Sequence, residues 1–128
     1  MTLLILKAVI IKTLLKEGGQ FTMIDMAKIL QTSKAIFDEF NPDKIILFGS
    51  YAYGKPQNDS DVDLLVVLPY EGSSFRKTWE ILNKIQPKFA IDLLVRTPVE
   101  IEQRLAWNDF FIREIIEKGK VIYESANS

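Results

Sequence analysis

The sequence contains neither cysteine nor histidine among its 128 residues. Without cysteine, disulfide bonds and thiolate metal sites are excluded, and a reducing cytoplasm is permitted. Without histidine, acid–base catalysis by an imidazole and histidine-ligated zinc are excluded as well. Any catalysis by this chain must therefore rest on carboxylates, hydroxyls, lysine, arginine or a hard metal ion.

A strong charge of either sign is also lacking, because the formal net charge is -1. No global basic field is present to gather a nucleic acid, so we expect no direct binding of DNA or RNA. The apolar fraction of 48% and the charged fraction of 26% are typical of a soluble globular protein. At this length, one domain with a single hydrophobic core is the simplest expectation.

No uninterrupted apolar stretch reaches the length needed to span a membrane. Lys7 and Lys12 interrupt the Leu- and Ile-rich segment at residues 1–15, and a small-residue cleavage site is missing. We therefore predict no membrane partner and a cytoplasmic location.

The predicted domain organisation separates this N-terminal segment from the rest of the chain. We predict an N-terminal helical arm or extension over residues 1–22, a single domain over residues 23–124 and a tail over residues 125–128. Met23 or Met26 as the natural start is the alternative, and the sequence leaves it open.

The remaining chain alternates between helical and strand patterns. A capping box at Thr97 to Glu100, with Pro98 at the first helical position, is a strong helix start. The predicted elements are a helix at 24–40, a strand at 44–48, a short helix at 49–54, a strand at 61–68, a helix at 75–85, a strand at 89–96, a helix from 97, a helix at 109–118 and a short strand at 121–123. This order predicts an α/β class fold.

Three aspartates stand in or beside the predicted strands. Asp61 and Asp63 are one residue apart, so alternation along a strand would direct both to one face. Asp92 interrupts a later apolar strand, and it completes a triad if the two strands pair. Because an unpaired buried charge is costly, a divalent cation is the most economical partner. All-oxygen ligands favour one or two Mg²⁺ ions, and Asp92 could accept a proton from an incoming hydroxyl.

Gly49 and Ser50 lie where a strand gives way to a helix. Glycine lets the backbone approach a phosphate closely, and Ser50 adds a hydroxyl donor. Lys55 is a candidate triphosphate contact in the loop that follows. Each piece alone has an ordinary reading, as a plain turn, a solvated strand face or a loop charge. Their combination in this order is far more specific for a site that binds a metal and a triphosphate.

The run of Gly49 and Ser50, then Asp61 and Asp63 after ten residues, then Asp92, resembles the signature of the DNA polymerase beta-like nucleotidyltransferase superfamily. It is most similar to the minimal nucleotidyltransferase domains, also called MNT or MntA-like antitoxins. This resemblance implies a small mixed β-sheet flanked by helices (α+β). It also implies that the three aspartates bind magnesium and that Gly49 and Ser50 contact the triphosphate.

The same resemblance implies a reaction in which an acceptor hydroxyl attacks the α-phosphate of ATP or another nucleoside triphosphate and pyrophosphate is released. Many such domains are antitoxins of small helical HEPN-type proteins, and some transfer AMP to a partner. We therefore expect a magnesium-dependent protein adenylyltransferase with a HEPN-type partner. A non-catalytic, toxin-binding antitoxin and transfer to a small molecule or RNA are the alternatives. Homo- or hetero-oligomers are both left open.

One departure from the family pattern concerns the cation that binds the phosphates. Many relatives carry an arginine soon after the Gly-Ser pair, whereas this chain has Tyr51 and Tyr53 there. The phosphate charge would then fall to Lys55, Lys77 or Arg96. The two tyrosines either stack on a base or pack locally.

Aromatic residues of the later helices raise a separate question. We expect this group in the core or in an interface: Trp79, Trp107, Phe110 and Phe111. The alternative for the cluster at residues 107–111 is an exposed docking patch for a partner.

Overall fold

A computed structural model describes residues 24–126 of the chain, and the expected arm at residues 1–22 lies outside them. The helices are α1 (Met26–Phe40), α2 (Ser50–Tyr53), α3 (Ser74–Ile85), α4 (Pro98–Ala106) and α5 (Phe110–Lys118). The strands are β1 (Lys44–Phe48), β2 (Val62–Val67), β3 (Ile91–Arg96) and β4 (Lys120–Glu124). Within this part of the chain, no helix combines the length and apolar character needed to cross a membrane.

The four strands form one mixed sheet in the order β3-β2-β1-β4. β1 is antiparallel to both β2 and β4, whereas β2 and β3 are parallel. Parallel strands need a crossover connection, and α3 supplies it between β2 and β3. This mixed sheet with helices on both faces confirms the expected fold class.

Helices cover the sheet in two layers. On one face, β2 packs Leu64 and Val66 in a core cluster that also includes residues of α1 and α3. On the opposite face, Leu65 and Val67 pack in a second cluster that includes Ile101 of α4. β2 therefore has apolar contacts on both faces, as its nearly continuous apolar sequence predicts.

Local signals set the helix ends where the sequence indicates them. The capping box at the start of α4 is formed, because Thr97 Oγ1 accepts from the Glu100 N–H at 3.1 Å and Glu100 Oε1 accepts from the Thr97 N–H at 3.2 Å. α1 ends at Phe40 and is capped by Asn41, whose φ of 50° is in the left-handed region that asparagine tolerates. Asp109 caps α5 by accepting from the Ile112 N–H at 3.1 Å.

The expectation that the later aromatic residues lie in the core is wrong for the group as a whole. All four residues are exposed: Trp79 47%, Trp107 70%, Phe110 83% and Phe111 55%. The core-facing positions of these helices are filled by aliphatic residues, Ile81 and Leu82 in α3 and Ile112 and Ile115 in α5. The interface alternative therefore remains for the aromatic residues.

Gly119 offers a test of how tightly α5 packs against the sheet. An added Cβ would lie 2.6 Å from Ile46 Cγ2 and 3.1 Å from the Leu47 carbonyl, and it would also meet the Ile115 carbonyl. We expect Gly119→Ala to lower the free energy of unfolding by about 1–3 kcal/mol, because buried backbone cannot move aside cheaply. Urea denaturation measures this change.

The control for this substitution is Asn83→Ala on the exposed surface of α3. Its effect should stay within about 0.5 kcal/mol. Equal stabilities of Gly119→Ala and the unmodified chain would contradict the close packing of this turn.

Candidate active site

One row of side chains crosses three strands of the sheet. Phe48 at the end of β1 is paired with Asp63 of β2, and Asp63 is in turn paired with Asp92 of β3. Paired residues of neighbouring strands direct their side chains to the same face, and the strands lie about 4.8 Å apart. The structure therefore brings two of the predicted aspartates side by side.

Gly49 packs directly against the Asp63 carboxylate. A Cβ added at Gly49 would overlap Asp63 Oδ2 and would lie 3.0 Å from its Cγ. Gly49 also has φ 70° and ψ -158°, a backbone conformation that is open almost only to glycine. The Gly-Ser turn and the Asp63 carboxylate are thus in contact, as a site for a metal and a phosphate requires.

Asp61 lies one residue before β2, which begins at Val62. The predicted strand start at residue 61 is therefore wrong by one residue, because the ladder with β3 starts at Val62. The projection of Asp61 and Asp63 from the same face stays a prediction. Asp61 nevertheless acts on the same site. Burial first, and then the negative charge of Asp61, raise the pKa of Asp92 above its ordinary value.

The donor set of this site fits a hard divalent cation. All three candidate ligands are carboxylates, and the pKa of Asp92 is raised by burial and by the negative charge of Asp61. Between residues 24 and 126, no three acidic side chains are gathered into a ready ligand cluster. Repulsion among like charges favours separation of such carboxylates, and a bound cation would draw them together.

A cavity of about 450 Å³ opens over the paired aspartates. It brings together three of the predicted site residues, Gly49, Asp63 and Asp92, whereas Ser50 and Asp61 are not part of its lining. The other lining residues are Phe48, Tyr53, Ser74, Phe75, Thr78, Leu93, Leu94, Arg96, Phe111, Glu114 and Ile115. The cavity is thus walled by aromatic and aliphatic groups around a few charged ones, which is typical of a small-molecule site.

The candidate phosphate cations are in different places. Lys55 is exposed in the loop after α2 and is not part of the cavity lining. Lys77 is engaged elsewhere, because its Nζ lies 3.3 Å from Glu80 Oε2 and 5.5 Å from the centre of the Phe40 ring. Arg96 lines the cavity, so it is the best placed of the three.

The two tyrosines after the Gly-Ser pair have separate roles. Tyr51 is buried in the core, and its hydroxyl accepts a hydrogen bond from the Ile24 N–H at 2.9 Å. Tyr53 is 43% exposed and lines the cavity. Local packing is therefore the correct reading for Tyr51, and only Tyr53 is available to a base.

The sequence did not point to the contribution of α5 to the cavity. Phe111 packs edge-on against Phe48, with ring centroids 5.9 Å apart, and Glu114 lies one turn further along the helix. Both residues line the cavity. No local pattern in the sequence links α5 with Asp63, because the contact depends on how the helix packs on the sheet.

Gly49→Ala tests the contact between the Gly-Ser turn and Asp63. We expect it to lower the free energy of unfolding by about 2–4 kcal/mol, because the new Cβ overlaps a carboxylate and the backbone conformation excludes alanine. Gly54→Ala is the matched control, since Gly54 has φ 80° but no atom within 4 Å of an added Cβ. That substitution should cost only about 1–2 kcal/mol.

A double-mutant cycle with Asp63→Ala separates the overlap from the backbone strain. In that background, Gly49→Ala should cost at least about 1 kcal/mol less than in the unmodified chain. An unchanged cost would show that the carboxylate does not press on Gly49.

The pKa of Asp92 gives a second test of the site, in metal-free protein. Asp61→Asn should lower the pKa of Asp92, because a neighbouring negative charge is removed, but not fully to the ordinary value of 3.8, because burial remains. Carbon-13 NMR of the carboxyl groups measures this pKa. Since the folded chain holds the proton more tightly than the unfolded chain, Asp92 should make stability fall as the pH rises from 3.8 through the raised pKa. An identical titration in Asp61→Asn would contradict the proximity of the two groups.

Comparison with known proteins agrees with this geometry. The sequence model of the family described as polymerase beta nucleotidyltransferases matches residues 28–128. A "putative protein adenylyltransferase" of Methanocaldococcus jannaschii is 33% identical over 82 residues, which are 62% of this chain and 77% of that protein.

One solved structure shows the same fold at lower sequence identity. A "putative nucleotidyltransferase" from Sulfolobus solfataricus has a TM-score of 0.56 at 14% identity, and the match covers 91% of this chain and 86% of that one. A more distant likeness is a toxin–antitoxin structure with AMP-PNP, with a TM-score of 0.48, 20% identity and coverage of 77% and 75%. The family match extends over most of the chain and includes every element of the site. The chain therefore belongs to the polymerase beta nucleotidyltransferase family, as a minimal nucleotidyltransferase.

Proposed function

We propose that this nucleotidyltransferase moves AMP from ATP to a hydroxyl group of a partner protein. The observation that carries the proposal is the contact of Gly49 with Asp63 and the pairing of Asp63 with Asp92 beside one cavity. The relative from Methanocaldococcus jannaschii, whose name specifies a protein acceptor, supports that choice of acceptor.

Magnesium is the metal that this donor set favours, and Asp61, Asp63 and Asp92 are the residues that would hold it. When bound, one or two ions neutralise the negative charge that the phosphates and carboxylates bring together. Asp63 lies between the other partners of the site, since it contacts Gly49 and is paired with Asp92. Asp63 is therefore the ligand whose loss should affect the site most.

The backbone at Gly49 and the Ser50 hydroxyl bind the triphosphate, while Tyr53 stands close enough to the cavity to stack on the base. The acceptor hydroxyl attacks the α-phosphorus. A new bond forms between its oxygen and that phosphorus, the bond to the β-phosphate oxygen breaks, and pyrophosphate leaves. Asp92 takes the hydroxyl proton, a role that its place in the cavity beside Asp63 suits. Lys55 remains a proposed outer contact for the leaving pyrophosphate.

The partner that we propose is the small helical toxin of a HEPN-type toxin–antitoxin pair. The support is the resemblance of the Gly-Ser and aspartate motifs to those of antitoxin nucleotidyltransferases. Neutralisation by binding alone is the second candidate, since the carboxylates are not gathered into a ligand cluster within residues 24–126. Transfer to a small molecule or RNA is a third outcome of the same assay.

The test is incubation of the protein with labelled ATP, Mg²⁺ and the protein encoded by the neighbouring reading frame. We expect label on a hydroxyl of that neighbour and none without Mg²⁺. Asp63→Asn and Asp61→Asn should each lower the initial rate at least about 10²-fold, because a lost ligand typically costs that much or more in activity. Asp38→Asn, on the exposed surface of α1, is the matched control and should keep the full rate.

Persistence of labelling in Asp63→Asn would contradict the assigned roles. Neutralisation of the neighbour without any labelling, and unaffected by replacement of Asp61, Asp63 and Asp92 together, would identify binding alone as the function.

A further inference from the structure

Two groups of exposed aromatic residues flank the site. The first consists of Phe75 and Trp79, which are 43% and 47% exposed. Together with Arg76, which lies between them in the sequence, they are here called the α3 rim. The second lies around the start of α5 and includes Trp107 and Phe110. Exposed aromatic residues beside a candidate active site are a common feature of protein interfaces, so each group needs to be compared with the site.

The α3 rim lies on the open side of the sheet. On one side of α3, Lys77 lies over the Phe40 ring of α1. With about 100° of rotation per residue, Phe75 and Trp79 are each about 160° away from Lys77 around the helix axis. They therefore project away from α1, towards the side on which β3 is the edge strand.

The α3 rim is also continuous with the candidate active site. Phe75 lines the cavity that contains Asp63 and Asp92, and it lines a second, adjoining concavity of about 680 Å³ together with Arg76 and Trp79. Phe75 is thus common to the two concavities, and the first one extends from it around the β3 edge to Asp63 and Asp92 on the opposite face of the sheet. Trp107 and Phe110 line neither of them. The continuity singles out the α3 rim as the surface that an acceptor would touch while it reaches the aspartates.

The charges of this side of the molecule indicate the chemistry of the partner. The acidic residue in the second concavity, Glu80, pairs with Lys77 at 3.3 Å. Among the ion pairs formed within residues 24–126, none includes Arg76 or Arg96. The edge therefore presents two guanidinium groups beside apolar aromatic surface. A polypeptide with an apolar side chain and a carboxylate is complementary to it.

We propose that the α3 rim is the docking surface for the acceptor protein. An apolar side chain of the acceptor packs on Phe75 and Trp79, one of its carboxylates pairs with Arg76, and its hydroxyl then lies over Asp92 in the adjoining cavity. This docking surface deepens the proposed function and rests on it for the identity of the acceptor.

The experiment uses the full chain and the protein encoded by the neighbouring reading frame as the probe. Calorimetry without nucleotide or metal measures affinity, and labelling with ATP and Mg²⁺ measures KM and kcat. Trp79→Ala should weaken binding about 30-fold and raise the acceptor KM by a similar factor, which is typical of an interface tryptophan. Arg76→Glu should weaken binding at least about tenfold, because it repels the acceptor carboxylate. Neither variant should change kcat or the affinity for ATP.

Phe110→Ala is the matched control, because Phe110 is equally aromatic and 83% exposed but lies outside both concavities. It should change binding less than about twofold. All three residues are exposed, so circular dichroism should show unchanged folding.

The outcomes separate the docking surface from the chemistry. Binding that Trp79→Ala weakens, in a complex that is never labelled, supports the docking surface and overturns adenylyl transfer. Labelling with an unchanged KM in Trp79→Ala and Arg76→Glu overturns the docking surface and leaves adenylyl transfer intact. A loss of binding in Phe110→Ala alone, or no complex with the unmodified chain, also overturns the docking surface.

Discussion

The parallel pairing of β2 with β3 holds two like charges, Asp63 and Asp92, side by side, and the rest of the site depends on it. Neither carboxylate can avoid the other by a shift along its strand, because a slip of one residue would turn every buried side chain of β2 to the wrong face. The repulsion is therefore built into the register. The pKa of Asp92 is raised first by burial and then by the negative charge of Asp61, which lies just outside the strand.

Apolar packing around the paired residues Asp63 and Asp92 offsets the free-energy cost of holding the two carboxylates side by side. β2 is buried along almost its whole length, and residues of α1 and α3 on one face and of α4 and α5 on the other pack against it. Because residue 49 is a glycine, no Cβ is present there to displace the Asp63 carboxylate. If the proposed cation binds, it would add stability to the folded chain by mass action, and its loss would remove that stability.

The parts of the fold that could be predicted from the sequence are those set by local signals. β1 has the predicted bounds because a β-branched run is followed at once by Gly49, and α4 starts at its capping box. The spacing of the motif predicted that Asp92 joins the other aspartates if the two strands pair, and the pairing of Asp63 with Asp92 meets that condition. Other features depend on tertiary packing. The spacing of Asp61 suggested a strand position, yet pairing with β3 begins only at Val62. Periodicity likewise cannot tell which flank of a helix is covered, so the exposure of Trp79 was not predictable.

Along β3, a negative charge lies near the start of the strand and a positive charge lies at its end. Asp92 and Arg96 are four residues apart on the same face of one strand, so their Cα atoms are separated by about 13 Å. A strand cannot shorten this distance without losing its hydrogen bonds to β2. In the proposed docking mode, an acceptor that presents a hydroxyl to Asp92 therefore also meets Arg96, which lines the same cavity. A reversed orientation would direct the acceptor's carboxylate at Asp63 and Asp92, where like charges repel it. Because this spacing of the backbone is fixed, the proposed docking mode would orient the acceptor without any movement of β3.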